Sequence, residues 1–368
     1  MSKLVVFKIG SSTLVDAEGN LDVPFVRELC AQICELRRAG TRVVLVSSGA
    51  AAVGRSLLGF TQRPHDIPTL QALAAVGQSR LIERYAEVLA EEGVCCGQVL
   101  LTRGDVVDRT GYLNARNTFE RLLDLGVVPI VNENDTVSVR EFSFGDNDML
   151  GAIVASLIDA DLYVILSDVD GLYTANPDAD PEARLIERVE HVDGSVAAMA
   201  GGAGSSYGTG GMATKVRAGR AMIAAGIPMV ICRGRGERAL INAVAGTGAH
   251  TRFEASSHAG HEQARKLWIG LAGVAKGALT VDAGAVAALE HEGASLLPVG
   301  VTGVEGDFAE GDTVDVLDEA GAVIGRGIVR YSAHDLWKVH GLRLDVICRF
   351  MPDRLDCPAI HRDELMIF

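Results

Sequence analysis

The sequence predicts an α/β protein: a doubly wound, mostly parallel sheet of the kind built from alternating strands and helices, followed by a small, mostly β domain. Three observations predict it. Six short runs rich in Val, Ile and Leu, with no polar alternation, recur through the first 255 residues, as strands buried on both faces do. Helical patterns separate them, and Gly40, Gly93, Gly126 and Gly226 each follow a helix and precede a strand, the usual place of a C-cap glycine. Beyond about residue 255 the texture changes to short strands and turns.

Taken in order, the strand-like runs are 4–9, 42–46, 96–101, 127–131, 162–166 and 227–231. The helical patterns are 23–38, 69–92, 113–125, 147–159 and 212–225. Sheets of this type bind ligands beyond the carboxyl ends of their strands, and the polar motifs fall there. Residues 256–265 read as a short helical connector. From Trp268 the runs 279–281, 296–301, 313–317 and 323–331 read as strands and 283–291 as a helix, with turns at Glu305-Gly306-Asp307 and Glu319-Ala320-Gly321. The expected division is therefore 1–255, a connector 256–267, and 268–368.

At 368 residues the chain is long enough for two domains with a sizeable core. Its net charge of −14 disfavours a generic binder of nucleic acid or anionic membrane. No 18-residue apolar run occurs, and the start, Met1-Ser2-Lys3-Leu4-Val5-Val6-Phe7-Lys8, reads as a strand and not a signal peptide. A cytoplasmic protein is the simplest account. The seven cysteines show no metal-like pairing and read as reduced thiols in apolar positions. The nine histidines show no zinc signature, since His258 and His261 lack partner cysteines. No Gly-x-Ser-x-Gly elbow marks a hydrolase.

The most informative stretch is Val131-Asn132-Glu133-Asn134-Asp135, followed after ten residues by Asp146-Asn147-Asp148. One lies at a strand end and the other at a helix start, with residues 136–144 forming a small β excursion between them. Carboxylates and amides gathered in this way suit a ligand with an ammonium group and can organise cationic side chains. Lys8-Ile9-Gly10-Ser11-Ser12 leaves the first strand. Small residues there let backbone N–H groups approach phosphate, and Lys8 can neutralise it; the alternative is a solvated lysine at a strand end. Ser47-Ser48-Gly49-Ala50 opens a helix whose free N–H groups suit a carboxylate, or is plain N-capping. Ser167-Asp168-Val169-Asp170-Gly171-Leu172-Tyr173 is either a nucleotide-binding turn or an acidic loop. Gly208-Thr209-Gly210-Gly211-Met212-Ala213-Thr214-Lys215 runs from a glycine-rich stretch into a helix carrying lysine.

Together these motifs, in this order and spacing, resemble the amino acid kinase family, and its glutamate-phosphorylating branch in particular. The likeness extends through Gly303–Val314 and the ending His361-Arg362-Asp363-Glu364-Leu365, which look like a PUA domain. The resemblance implies transfer of the ATP γ-phosphoryl group to the side-chain carboxylate of L-glutamate, the first step of proline biosynthesis. It implies that Lys8 and Lys215 stabilise the transferred group and that Asp148 orients them. Ser48, Asp135 and Asn147 would hold glutamate, with Asn132 and Asp146 close by. Lys8, Gly10, Ser167, Asp168 and the segment Thr209, Gly210, Gly211, Met212, Ala213, Thr214 and Lys215 would bind ATP, with Mg²⁺ carried on its phosphates. Proline as feedback inhibitor and a homo-oligomer are further implications. The rival readings are a sister kinase acting on acetylglutamate, aspartate, carbamate or uridylate, and an RNA-binding protein. Against the latter, the segment from Trp268 to Phe368 carries eight basic and sixteen acidic side chains, a net charge of −8.

Overall fold

A computed structural model of the protein describes residues 2–16, 19–107, 109–138, 147–177, 179–192, 194–200, 211–255, 275–354 and 357–367. The chain divides into two compact units, Met1–His261 and Glu262–Phe368. Among the described residues, the first unit holds eight strands in one sheet: β1 Leu4–Ile9, β2 Arg42–Val46, β3 Cys96–Leu101, β4 Val128–Glu133, β5 Leu162–Ser167, β6 Arg188–Val189, β7 Met229–Arg233 and β8 His250–Phe253. They lie in the order β3-β4-β2-β1-β5-β7-β8-β6. All pair in parallel except β7 with β8. The helices of this unit are α1 Ser11–Leu14, α2 Val23–Arg38, α3 Ala50–Leu57, α4 Ile67–Glu91, α5 Arg103–Val107, α6 Arg109–Asp124, α7 Asn147–Leu157, α8 Gly194–Ala200, α9 Met212–Ala225 and α10 Ala239–Ala245.

The central strand β1 is buried along its whole length, and its side chains join those of α2, α4 and β2 in the core, with Phe7, Leu29, Leu45, Leu81 and Val164 fully enclosed. That is why it shows no polar alternation. Where strands are buried on one face only, the sequence signal fades: β8 alternates half-buried His250 and Arg252 with buried Thr251 and Phe253, and neither it nor the short α10 stood out by composition. Strand β4 runs two residues further than the apolar run predicts. Leu100 pairs with Asn132 and Leu101 with Glu133, so the ladder with β3 carries the chain past its last apolar residue.

Two glycines decide how α3 and α4 meet. A Cβ on Gly77 would lie 1.8 Å from the Ala50 carbonyl oxygen, and one on Gly54 would lie 1.9 Å from that of Leu73. Only glycine permits this backbone approach. It seats α4 directly on the first turn of α3.

The second unit is a five-stranded mixed sheet with its own core. In chain order its strands are β9 Gly277–Val281, β10 Val301–Gly306, β11 Thr313–Leu317, β12 Val323–Val329 and β13 Ile360–Ile367, arranged β10-β9-β11-β12-β13. Leu279, Val301, Val316, Val329, Tyr331, Leu336 and Ile360 fill its interior. The expected strand at 296–301 is mostly a correction. Pro298–Gly300 forms a 3₁₀ turn and β10 starts at Val301, because Pro298 has no N–H to give a ladder. Helix α11, Ala283–Glu292, matches its pattern, while α12, Ala333–Val339, was not anticipated. The connector and Trp268 lie outside the described residues. Among the described residues, no helix is long and apolar enough to cross a membrane. Cys30, Cys34 and Cys232 are buried as expected; Cys95, at the amino edge of β3, is exposed.

Candidate active site

The carboxyl ends of β1, β2, β4, β5 and β7 converge on one edge of the first unit's sheet. Lys8 is the fifth residue of β1, paired with Val46 of β2 on one side and Ile165 of β5 on the other. A lysine in the middle of a sheet is held there by something, and that partner is Asp148, in the first turn of α7. Lys8 Nζ stands 2.6 Å from Asp148 Oδ1, and Lys215 Nζ stands 3.1 Å from Asp148 Oδ2. The Thr214 hydroxyl donates to the same Oδ2 at 2.8 Å. Asp148 is 0% exposed, Lys8 6% and Lys215 7%. Burial alone would push the Asp148 carboxyl up, but the two ammoniums beside it pull it below the ordinary carboxylate range. The Tyr163 hydroxyl donates to the Asp148 carbonyl at 2.8 Å and so ties the start of α7 to β5.

Lys215 reaches this point because α9 begins at Met212, capped by Gly211. Lys215 is therefore a buried residue of the first helical turn, on the helix the sequence predicts.

The next residue back, Asn147, gathers a second cluster. Its Nδ2 lies 2.8 Å from Ser48 Oγ, 2.9 Å from the Ser47 carbonyl and 2.9 Å from Asn132 Oδ1. Asn132 in turn donates to Gln78 Oε1 at 2.8 Å. This network uses up the amide of Asn147 as donor and leaves its carbonyl oxygen as an acceptor. Gly49, at φ 93°, caps α3 in a conformation that favours glycine. It turns the chain sharply from β2 into the helix, whose first N–H groups face the Ser48 side. Asp135 follows β4 in a turn with Thr136 and Val137, and makes no hydrogen bond or ion pair among the described residues. Partial burial raises its pKa. The β excursion expected over 136–144 is a turn as far as it is described, with Val137 64% exposed.

On the other side of β1, Ser167 ends β5 and donates to Asp168 Oδ1 at 3.0 Å. Gly10 lies beside it, one residue beyond the Ile9–Leu166 pair. The fold thus brings Ser48, Asn132, Asp135 and Asn147 to one half of the edge and Gly10, Ser167 and Asp168 to the other. Lys8, Asp148 and Lys215 stand between. Asp146, Thr209 and Gly210 lie outside the described residues; Gly211, Met212, Ala213 and Thr214 lead into the lysine.

Sequence reasoning missed Gln78, Tyr85, Tyr163 and Arg233. Tyr85 is fully buried with its hydroxyl 3.1 Å from Ser47 Oγ, and Gln78 sits on α4, far from any motif. Neither carried a signal in the sequence. Arg233 did: it stands two residues beyond the strand predicted at 227–231, at the same sheet edge as the motifs. A separate cleft of about 370 Å³, lined by Arg37, Arg42 and Val127 among others, opens at the amino edge of the sheet and holds none of these residues.

The chain is similar to known proteins along its whole length. A family model described as "Amino acid kinase family" matches residues 3–233, and one described as "PUA domain" matches 277–348. A "Glutamate 5-kinase" from Geobacter sp. (strain M21) is 44% identical over 365 residues, covering 99% of this chain and 97% of that one. Another, from Nostoc punctiforme, is 45% identical over 368 residues and covers 100% of both. Among solved structures, a Giardia carbamate kinase overlays with a TM-score of 0.51 at 19% identity, covering 69% of this chain and 99% of that one. That likeness speaks for the fold alone.

Proposed function

The chain belongs to the amino acid kinase family, and within it to the glutamate 5-kinases; from that premise we propose how its residues transfer a phosphoryl group from ATP to the side-chain carboxylate of L-glutamate. The observation that carries the reading is the pair of buried amines, Lys8 and Lys215, fixed on the two oxygens of Asp148.

Phosphoryl transfer calls for positioning and charge neutralisation more than for covalent chemistry. The two ammoniums lie between the two halves of the sheet edge, where the transferred group would pass. Held by Asp148, they pay no reorganisation when charge develops on the phosphoryl oxygens. The bond from the γ-phosphorus to the bridging oxygen of ADP breaks as a bond to the acceptor oxygen forms, giving an acyl phosphate and ADP. The acceptor carboxylate is ionised at neutral pH, so no general base is required.

On the acceptor half, the start of α3 and Ser48 suit a carboxylate. Asp135, partly buried and with no hydrogen bond or ion pair among the described residues, suits the α-ammonium, and the Asn147 side-chain carbonyl offers a second acceptor. On the nucleotide half, Gly10, Ser167, Asp168 and Gly211–Lys215 would take ATP. Among the described residues no group of three His, Cys, Asp or Glu side chains stands ready to cage an ion. The donor set is two amines and one carboxylate already between them, which suits Mg²⁺ carried on the nucleotide phosphates. Bound there, the ion would draw off charge from the phosphate oxygens.

Proline keeps glutamate's α-carboxylate and amine, so it would compete at the acceptor half without reaching the lysines. Initial rates at several proline concentrations check this; inhibition independent of glutamate concentration would place proline elsewhere.

The direct test is ADP release with Mg-ATP and glutamate, N-acetylglutamate, aspartate or carbamate, with hydroxylamine trapping of the acyl phosphate. Glutamate alone should be turned over and trapped. Use of N-acetylglutamate would remove the role given to Asp135, since that compound has no ammonium.

A further inference from the structure

The exit from β7 makes contacts that the reaction as described does not use. Arg233 pairs with Ser167 in the β5–β7 ladder, and its side chain reaches back over the turn after β5. Its Nε lies 2.8 Å from Asp170 Oδ1 and its Nη2 3.2 Å from Asp170 Oδ2, a two-pronged pair. Its Nη1 donates to the Asp168 carbonyl at 2.7 Å. Two residues on, Arg235 reaches the opposite way, to the turn after β1. Its Nη2 donates to the Thr13 carbonyl at 2.8 Å and to that of Val15 at 3.4 Å, and its Nη1 pairs with Asp22 at 2.7 Å. Its guanidinium also lies 4.7 Å from the centre of the Phe25 ring.

Gly234, between them, donates its N–H to the Ser167 carbonyl at 2.7 Å. A Cβ there would stand 3.0 Å from Leu166 Cβ and 3.1 Å from Thr13 Cγ2. The backbone therefore lies close against both the end of β5 and the segment after β1, and a side chain there would force its neighbours to give by a few tenths of an ångström. Planar guanidinium forks hold carbonyls and carboxylates in fixed directions. Here one fork grips each turn, from two arginines separated by a single glycine.

We propose that Arg233-Gly234-Arg235 is a clip that sets the register of the two turns flanking the reaction, Arg233 positioning the nucleotide turn after β5 and Arg235 the turn that follows Lys8. The assignment of the β5 turn to the nucleotide rests on the function proposed above. Neither arginine is a catalytic residue: each acts through the backbone and the carboxylates it holds.

The test is steady-state kinetics of the full chain carrying R233M, R235M, R235K, D170N or R233M/D170N, with melting temperatures measured alongside. R233M should raise the ATP KM about tenfold while kcat and the glutamate KM stay within about twofold. D170N should raise the ATP KM less, because the bond to the Asp168 carbonyl survives, and should add nothing in the R233M background, since both remove one interaction. R235M should do the reverse of R233M, lowering kcat about tenfold with the ATP KM within about threefold, because Lys8 lies at the head of the turn it holds. R235K keeps the charge but loses the fork; it should fall between R235M and the parent in kcat with an unchanged melting temperature, and it serves where R235M does not fold. Full kcat in R235K and R235M, or an unchanged ATP KM in R233M, would overturn the clip. A rise in the glutamate KM of R233M at constant ATP KM would overturn it together with the nucleotide assignment beneath it. Equal loss in every parameter, tracking the melting temperature, would reduce both arginines to general stabilisers.

Discussion

Asp148 is the residue on which the site turns. A carboxylate with no solvent exposure is expensive unless its charge is met, and here Lys8 and Lys215 meet it from two sides. Asp148→Asn keeps the shape but leaves both amines without their counter-charge. It should cost roughly 3–5 kcal/mol of stability, the usual scale for breaking a buried pair, and kcat with it; chemical denaturation and initial rates check the two separately. The sign of the pH effect follows from the depressed pKa. The stability Asp148 contributes is present above the unfolded carboxyl value and is lost as pH falls through the lower folded value. Lys215→Ala should lower kcat by about 10²–10³-fold, the scale of one lost electrostatic stabiliser. The burial of Lys215 in α9 adds a second consequence: Asp148 keeps Lys8 as its one counter-charge, beside the Thr214 hydroxyl, so the melting temperature should fall too.

Asp135 behaves in the opposite sense. Burial raises its folded pKa, so its ionised form destabilises the fold once pH exceeds that value. Asp135→Asn should therefore melt no lower than the parent at neutral pH, yet show a much higher glutamate KM. In the parent, the glutamate KM should climb as pH falls through the raised pKa, and this climb should be absent in the variant. A variant with unchanged glutamate KM would take Asp135 out of the acceptor half.

At the scale of elements, the crossing of α3 and α4 links packing to the site. Gly77 brings α4 against Ala50, the first residue of α3, and its neighbour Gln78 holds Asn132. Gly77→Ala places a methyl where a carbonyl oxygen now stands, so the helices must separate. Overpacking of this kind costs about 1–3 kcal/mol. It should also raise the glutamate KM more than the ATP KM, since Ser48 and Asn132 move while the β5 turn does not. A parallel loss in both KM values, measured with each substrate in turn, would mean that the crossing serves stability alone.

For the whole molecule, the two units have separate cores, and every residue assigned to the chemistry lies before residue 216 apart from the positioning clip at 233–235. A chain ending at Arg265 should retain glutamate-dependent ADP release. If it folds, as circular dichroism would report, and yet is inactive, the second unit completes the site. The acidic balance of that unit predicts no salt-sensitive retention of RNA; micromolar binding that weakens as salt rises would reverse this reading.

Read alone, the sequence determined the alternation of buried strands and helices, because strands enclosed on both faces admit only apolar residues, as Leu4–Ile9 does. It also determined which edge carries the chemistry, because the motifs follow those strands. It placed Lys8, Asp148 and Lys215 in one site only through the likeness of ordered motifs, since nothing local says that residues 8, 148 and 215 meet. Tertiary structure alone decided the rest. Gln78, Tyr163 and Arg235 are ordinary residues of a helix, a strand and a loop until the sheet order lays their partners beside them. Strand His250–Phe253 carries half-buried His250 and Arg252 on one face, so its pattern is weak until β7 and β6 pair with it. The physical reason is the same in each case. Burial writes itself into composition along the chain, whereas a hydrogen bond or ion pair between distant residues needs only one donor and one acceptor, and leaves no period in the sequence to be read.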